Sequence, residues 1–353
     1  MNLDEQATFT KYDTQNMRGS IALLHEQIKQ TWDEVNNLDI SARFTIFDSI
    51  LFCGMGGSAL GAYVAKHLYG DSISVPFGII NDYHIPKYAG SNTLVIVETY
   101  SGTTEEAISC LEEAHGRGCK VFAIATGKNL IEIAQEKNIP YFKINPINNP
   151  SHQPRMGIGY SIFVLFALLT KLKQITCTTS DITLICDELE KGNNMYGPTI
   201  PSDKNTAKQL AVKLNGKIPL FLSGEHIIGA LHANRNQYNE NAKNVAVYFS
   251  LPDADHFLLE GLQFPTNLKE FIHCVFYTSS SLSEKIRNRI TNTEKVFKEH
   301  AISTTVIDVS APSKLVEVMR CIQFGAYVGF YSAMLHCFDP SPVPTVENFK
   351  QSL

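Results

Sequence analysis

Two short segments concentrate residues that can hold an anion. One is Gly54-Met55-Gly56-Gly57-Ser58-Ala59-Leu60-Gly61, the other Thr99-Tyr100-Ser101-Gly102-Thr103-Thr104. Each follows an apolar, β-like run and opens a helical pattern. Glycines let backbone N–H groups approach a ligand, and the hydroxyls of Ser58, Thr99, Ser101 and Thr104 add donors. Two such loops at neighbouring strand ends can wrap one phosphate. Taken singly, each has a plainer explanation: a glycine-rich turn that needs positive φ, and Ser or Thr serving as helix N-caps. The conjunction of Gly57 and Ser58 with a hydroxyl cluster at a second helix start is what favours a phosphate. Neither G-x-G-x-x-G with an acidic partner nor G-x-x-x-x-G-K-[ST] is present, which disfavours a nucleotide-dependent dehydrogenase.

The elements that must position these loops alternate along the chain. Helical spacing over residues 15–37 predicts one long leading helix, with Trp32 on its apolar stripe. Strands are expected at 49–53, 75–81, 94–98, 121–126 and 141–144, with helices at 58–69, 104–115 and 130–137. Short apolar runs alternating with helices imply a parallel sheet covered on both faces, with ligands beyond the carboxyl ends of its strands. The polar, proline-punctuated stretch 145–154 suggests a domain boundary, and an apolar helix follows at 156–172. Residues 191–203 read as a loop. The grammar then repeats: strands at 218–223, 245–249, 272–277 and 304–309, helices near 227–243, 284–300 and 314–337. The turn after residue 223 lacks Gly-Gly-Ser and the hydroxyl cluster, so only the first domain is expected to keep a phosphate cradle.

Bulk properties narrow the class. A chain of 353 residues suggests about two domains, and 44% hydrophobic against 18% charged residues excludes disorder. A net charge of −5 argues against a broad nucleic-acid surface. The eight cysteines form no C-x-x-C pair and mostly sit in apolar runs, as buried free thiols in a reducing compartment would. The first residues have no basic or apolar leader pattern, and the longest apolar stretch, 324–338, is too short to span a bilayer. A cytoplasmic chain with no membrane contact is expected.

The two loops together resemble the sugar-isomerase (SIS) domain. More specifically, the chain resembles the bifunctional phosphoglucose/phosphomannose isomerase family, a tandem-SIS branch of the phosphoglucose isomerases. Gln153-Pro154-Arg155, Asn239-Glu240-Asn241-Ala242-Lys243, the segment from Pro252 to Gly261 around His256, and Asp339-Pro340-Ser341-Pro342-Val343 followed by Lys350 carry the match in order. The resemblance implies an α/β fold of two SIS-type domains, each a parallel sheet flanked by helices. The expected domains are 1–153, with the phosphate loops, and 154–353, with a cleft between them. It also implies interconversion of glucose 6-phosphate and mannose 6-phosphate with fructose 6-phosphate through a cis-enediol. Gly57, Ser58, Thr99, Ser101 and Thr104 would hold the phosphate. Glu240 would carry the proton between C1 and C2, His256 with Lys350 would open the ring, and Arg155 would stabilise the enediolate. No nucleotide or metal cofactor is implied. The expected partner is a second copy, in a homodimer whose His256 reaches the neighbouring site. Two departures stand out. The family's S-Y-S-G-N-T is T-Y-S-G-T-T here, and its N-H-N-E is Asp255-His256-Phe257-Leu258. The second motivates an alternative, a catalytically weakened sugar-phosphate sensor.

Overall fold

The computed structural model describes residues 2–40, 44 and 46–352. The chain opens with helices α1 (Gln6–Tyr12), α2 (Met17–Ala22) and α3 (Leu24–Asn36). The expected leading helix is therefore broken at Leu23, where the Asn193 amide donates to the Ala22 carbonyl at 2.9 Å. The chain forms two compact units. One is Leu23–Asp187; the other joins Met1–Ala22 to Glu188–Leu353. This partition differs from a cut at 153/154, because the apolar helix after that point packs on α3 and belongs with the first sheet.

In the first unit follow β1 (Ser49–Cys53), α4 (Leu60–Tyr69), β2 (Phe77–Ile80), β3 (Thr93–Thr99), α5 (Glu105–Gly116), β4 (Lys120–Ala125), α6 (Lys128–Glu136), β5 (Tyr141–Lys143) and α7 (Ile158–Lys171). The strands form one parallel sheet in the order β2-β1-β3-β4-β5. All residues of β3 are buried, as a central parallel strand requires. Its Val95 and Val97 face a core that includes Leu51, Ala107 and Leu111. Alternation sends Leu94, Ile96 and Glu98 to the opposite face. Helix α7 is apolar on nearly all sides because α3 and α4 both pack against it. The chain leaves β1 for β2 on one side and returns to β3 on the other. The carboxyl ends of β1 and β3 thus flank a topological switch point, where α/β sheets bind ligands.

The second unit continues with α8 (Thr179–Tyr196), which crosses from the first, then α9 (Thr206–Leu214), β6 (Ile218–Gly224), α10 (Ile228–Ala242), β7 (Val247–Leu251), α11 (Leu268–Phe271), β8 (Ile272–Thr278), α12 (Glu284–Glu299), β9 (Ser303–Asp308), α13 (Lys314–Leu335) and α14 (Pro344–Gln351). Its parallel sheet runs β7-β6-β8-β9, the same winding as the first. The expected loop at 191–203 is corrected: α8 runs through Tyr196 despite Gly192 and two asparagines. Gly192 is there because Gln323 lies against it, so that a Cβ would come within 1.9 Å of the Gln323 side chain. Asn193 accepts from Gln323 and Tyr327 at 2.9 and 2.8 Å. Packing on α13 thus overrides weak helix propensity. Among the described residues no disulfide forms; six of the eight cysteines are buried, Cys186 is half-buried and Cys337 is exposed. No described helix is long and apolar enough to cross a membrane.

Candidate active site

The two loops expected to hold a phosphate sit at the switch point of the first unit. After β1 the chain turns through a 3-10 segment, Gly56–Ala59, into α4. Gly56 has φ +52°, the region only glycine enters cheaply. A Cβ on Gly57 would meet the Arg155 backbone nitrogen at 3.2 Å, so the missing side chain lets the Arg155 segment close onto the loop. The buried Ser58 hydroxyl accepts the Tyr100 amide at 2.9 Å and so ties the first loop to the second.

In the second loop the Thr99 hydroxyl lies 2.7 Å from that of Thr104 and 3.2 Å from that of Ser101. The Ser101 hydroxyl also accepts from the Thr103 amide and hydroxyl, at 3.3 and 3.2 Å. Thr104 stands at the N-cap of α5 yet makes no side-chain bond to the first-turn amides. The ordinary capping explanation therefore does not hold here, and the amino end of α5 keeps donors for a ligand anion. Arg155 is held beside these loops by a chain of polar contacts. Asn149 donates to the Tyr100 hydroxyl at 2.8 Å and to the Gln153 carbonyl at 3.0 Å, and the Arg155 guanidinium, only 1% exposed, donates to the Gln153 side chain at 2.9 Å. Gly57, Ser58, Thr99, Ser101, Thr104 and Arg155 thus come together in one unit.

The equivalent place in the second unit is closed by its own carboxylates. Glu225, also at φ +52°, stands where the first unit has Gly56, at the start of the 3-10 turn after the first strand of its sheet. Its carboxylate accepts the Ser283 amide at 3.1 and 3.3 Å, and Ser283 itself caps α12. The buried Glu317 carboxylate accepts the Ser281 hydroxyl at 2.8 Å and pairs with His226 at 2.6 Å. Burial lowers the pKa of His226, and the Glu317 bond opposes that shift. Where the first unit has glycine and a cluster of hydroxyls, the second has carboxylates bonded to its own loop.

Glu240, His256 and Lys350 are carried by the second unit. Glu240 is half-buried in the last turns of α10. Its motif neighbours hold the scaffold. Asn239 donates to the Arg235 and Ala246 carbonyls at 2.8 and 2.9 Å. Lys243, in left-handed conformation, donates to the carbonyls of Glu240, Pro340 and Pro342. The Asp-Pro-Ser-Pro-Val segment is therefore clamped to the end of α10. His256 is exposed at the end of a 3-10 turn, Asp253–His256, that follows β7. The departures around it have a structural use. Asp255 accepts from Arg289 and Thr293 of α12 at 2.9 and 2.7 Å, and Phe257 packs on Phe249 at 6.2 Å between ring centres. The turn is pinned on both sides of the imidazole. Lys350 is exposed on α14.

Sequence reasoning passed over Glu98. It is fully buried on β3, directly before Thr99, and neither carboxyl oxygen makes a hydrogen bond. Its signal was a single carboxylate inside the apolar run that ends in Thr99.

Residues 203–353 match the family model of the bacterial phospho-glucose isomerase C-terminal SIS domain. A bifunctional phosphoglucose/phosphomannose isomerase of Caldicellulosiruptor bescii is 30% identical over 337 residues, covering 95% of this chain and 98% of that protein. The chain belongs to this family. A second member, from Aquifex aeolicus, is 28% identical and covers 89% of this chain and 93% of its own length. A D-glucosamine-6-phosphate 4-epimerase of Sulfolobus acidocaldarius is 25% identical over 66% of this chain and 70% of its own. Among solved structures, a glucose-6-phosphate isomerase like protein from Thermus thermophilus superposes with a TM-score of 0.63 at 15% identity over the whole of both chains. The C-terminal domain of glucosamine-fructose-6-phosphate aminotransferase from Francisella tularensis superposes with a TM-score of 0.65 at 13% identity, over 92% and 96%. At such identities these two establish the fold alone, two SIS-type α/β units.

Proposed function

We propose that this protein interconverts glucose 6-phosphate and mannose 6-phosphate with fructose 6-phosphate. The observation that carries this reading is the near full-length kinship with a bifunctional isomerase. The hydroxyls of Thr99, Ser101 and Thr104, which bond to one another and to Thr103, and the uncapped start of α5 supply the handle such a substrate needs. In the proposed reaction, these loops with Gly57, Ser58 and Thr99 hold the phosphate. His256, aided by Lys350, moves a proton between ring oxygen and hydroxyl to open the sugar. Glu240 removes the proton at C2 and returns it to C1, while the proton on the C1 and C2 oxygens exchanges sides. Arg155 stabilises the enediolate oxygens with a fixed fork of donors. The enediol is planar at C2, so the two aldoses, which differ only there, converge on one intermediate. Their C2 hydrogens lie on opposite faces of that plane, so Glu240 serves both only if the mannose chain turns about the C2–C3 bond to present its hydrogen to the same carboxylate.

The sensor alternative is not favoured, since relatives spanning nearly the whole chain are named isomerases. We also read the protein as a cytoplasmic homodimer in which exposed His256 serves the neighbouring site. The exposed Phe257 and Phe264, 54% and 75% accessible, supply apolar surface for such a contact. Steady-state assays with each aldose phosphate test the function, and absence of turnover on both would refute it. In the same assay Ser101→Ala raises KM by roughly tenfold or more with kcat changed less than threefold, because a hydrogen bond to a charged group contributes about 1.5–3 kcal/mol. An unchanged KM would remove Ser101 from the phosphate site.

A further inference from the structure

We propose that Glu98 is a positioning residue, kept as the neutral acid behind the phosphate loops, whose ionisation in alkaline solution weakens binding of the substrate's phosphate. The inference rests on the phosphate-loop reading above.

The geometry requires a neutral group. Glu98 is 0% exposed, and neither oxygen makes a hydrogen bond. An ionised carboxylate in such a place has no compensation for lost hydration, so it takes up a proton instead. Its backbone carbonyl lies 3.1 Å from where a Cβ of Gly54 would be, so the residue is built against the start of the first loop. Thr99 of the second loop follows it directly. Ser161 of α7, whose hydroxyl is near the Glu98 carboxyl, donates to the Ser58 carbonyl at 3.4 Å, so Glu98 lies between the first loop and α7. Burial pushes the Glu98 pKa up to about 8; the Ser161 hydroxyl, nearby but not in hydrogen-bonding geometry with the carboxyl, opposes the shift only weakly.

The charged and titratable groups on the surrounding elements do not offset it. Cys53 of β1 and Cys110 of α5 belong to the core on the other face of the sheet. Lys120 of β4 pairs in register with Leu94, at the far end of β3. On α5, Glu105 and Glu106 occupy the first turn, Glu112 and His115 the last two turns, and Glu113 pairs with Arg117. Lys66 and His67 end α4. On α7, the Tyr160 hydroxyl bonds the Asn148 amide, and Lys171 reaches the Asn36 and Leu38 carbonyls. Arg155, ahead of α7, bonds Gln153.

Consequently the proton on Glu98 and the phosphate on the loops are linked. A bound dianion disfavours a second negative charge behind it, and by reciprocity ionised Glu98 disfavours the dianion by the same factor. Folding follows the same sign. The stabilising effect of the neutral acid is complete below the ordinary glutamate range and is lost as pH rises toward 8.

The test is calorimetric titration with a hexitol 6-phosphate, which cannot isomerise and whose phosphate is already a dianion above pH 7. Wild type is expected to bind roughly tenfold or more weakly at pH 9.5 than at pH 7, a unit charge acting over several ångströms at an effective dielectric near 20. It is also expected to take up a proton on binding near pH 8.5, seen as a buffer-dependent enthalpy. Glu98→Gln should change less than twofold and take up no proton. If Glu98→Gln does not fold, Glu98→Leu replaces it. Equal weakening in wild type and variant overturns the proposal and leaves the phosphate reading standing. No binding by either at any pH overturns both.

Discussion

Glu240→Gln should lower kcat by a factor on the order of 10² to 10⁴, the range that a positioned general base contributes. Gln keeps the size and hydrogen-bonding ends of the side chain but cannot accept the C2 proton. KM should change by no more than a few-fold, because the phosphate donors belong to the other unit and are untouched. The loss should be the same for glucose 6-phosphate and mannose 6-phosphate, since both pass through one enediol. Exchange of the C2 hydrogen with solvent deuterium, followed by NMR, should disappear in step with turnover. The scaffold should survive, because Asn239 and Lys243 hold this stretch of α10 through backbone carbonyls that the substitution leaves in place. A variant that isomerises one aldose normally and loses only the other would show that two different bases act. A variant with normal rates on both would remove Glu240 from the reaction.

What could be read ahead of the structure follows from how local each feature is. The strands and the two phosphate loops are local: buried parallel strands appear as short apolar runs, and the loops are continuous segments at their ends. The repeat of the winding was legible for the same reason. The helix through Tyr196 was not, since Gly192 and Asn193 gain their places from distant residues, Gln323 and Tyr327 about 130 positions on and Ala22 about 170 back. Helix α9 hides its start in Asn205, whose side chain accepts the Ala207 and Lys208 amides at 3.1 Å. It also hides its inner face in Lys208, a fully buried lysine satisfied by Asp4 and two carbonyls. A lysine at a core position breaks the apolar spacing on which helix detection rests. Around His256, the sequence shows the imidazole but not what fixes its turn, because Arg289 and Thr293 lie more than thirty residues away. Glu98 shows the opposite limit. Its neighbours in sequence mark it as odd, but only its burial without a partner makes it a proton-linked group.

The second large effect is expected from Gly102→Ala, which separates loop geometry from backbone strain. Gly102 has φ +74°, and a Cβ there would stand 1.9 Å from the Gly127 carbonyl oxygen, a backbone atom that cannot rotate away. The residue is held on both sides, its amide donating to the Thr99 carbonyl at 3.0 Å and its carbonyl accepting the Leu130 amide at 2.9 Å. The second loop must therefore shift as a piece, carrying Ser101 and Thr104 away from positions that serve a phosphate. Losing two hydrogen bonds to a charged group, at about 1.5–3 kcal/mol each, raises KM by roughly 10² or more. Gly118 provides the control. Its φ is +72°, nearly the same, but nothing lies within 4 Å of its would-be Cβ. Gly118→Ala bears only the left-handed backbone penalty, about 1–2 kcal/mol. It should lower the unfolding midpoint while leaving KM within twofold. Thermal denaturation and steady-state kinetics on the pair measure both quantities. If Gly102→Ala lost only stability, as Gly118→Ala should, the second loop would not be what holds the substrate, and the phosphate would have to be held by the Gly57–Ser58 turn and Arg155 alone.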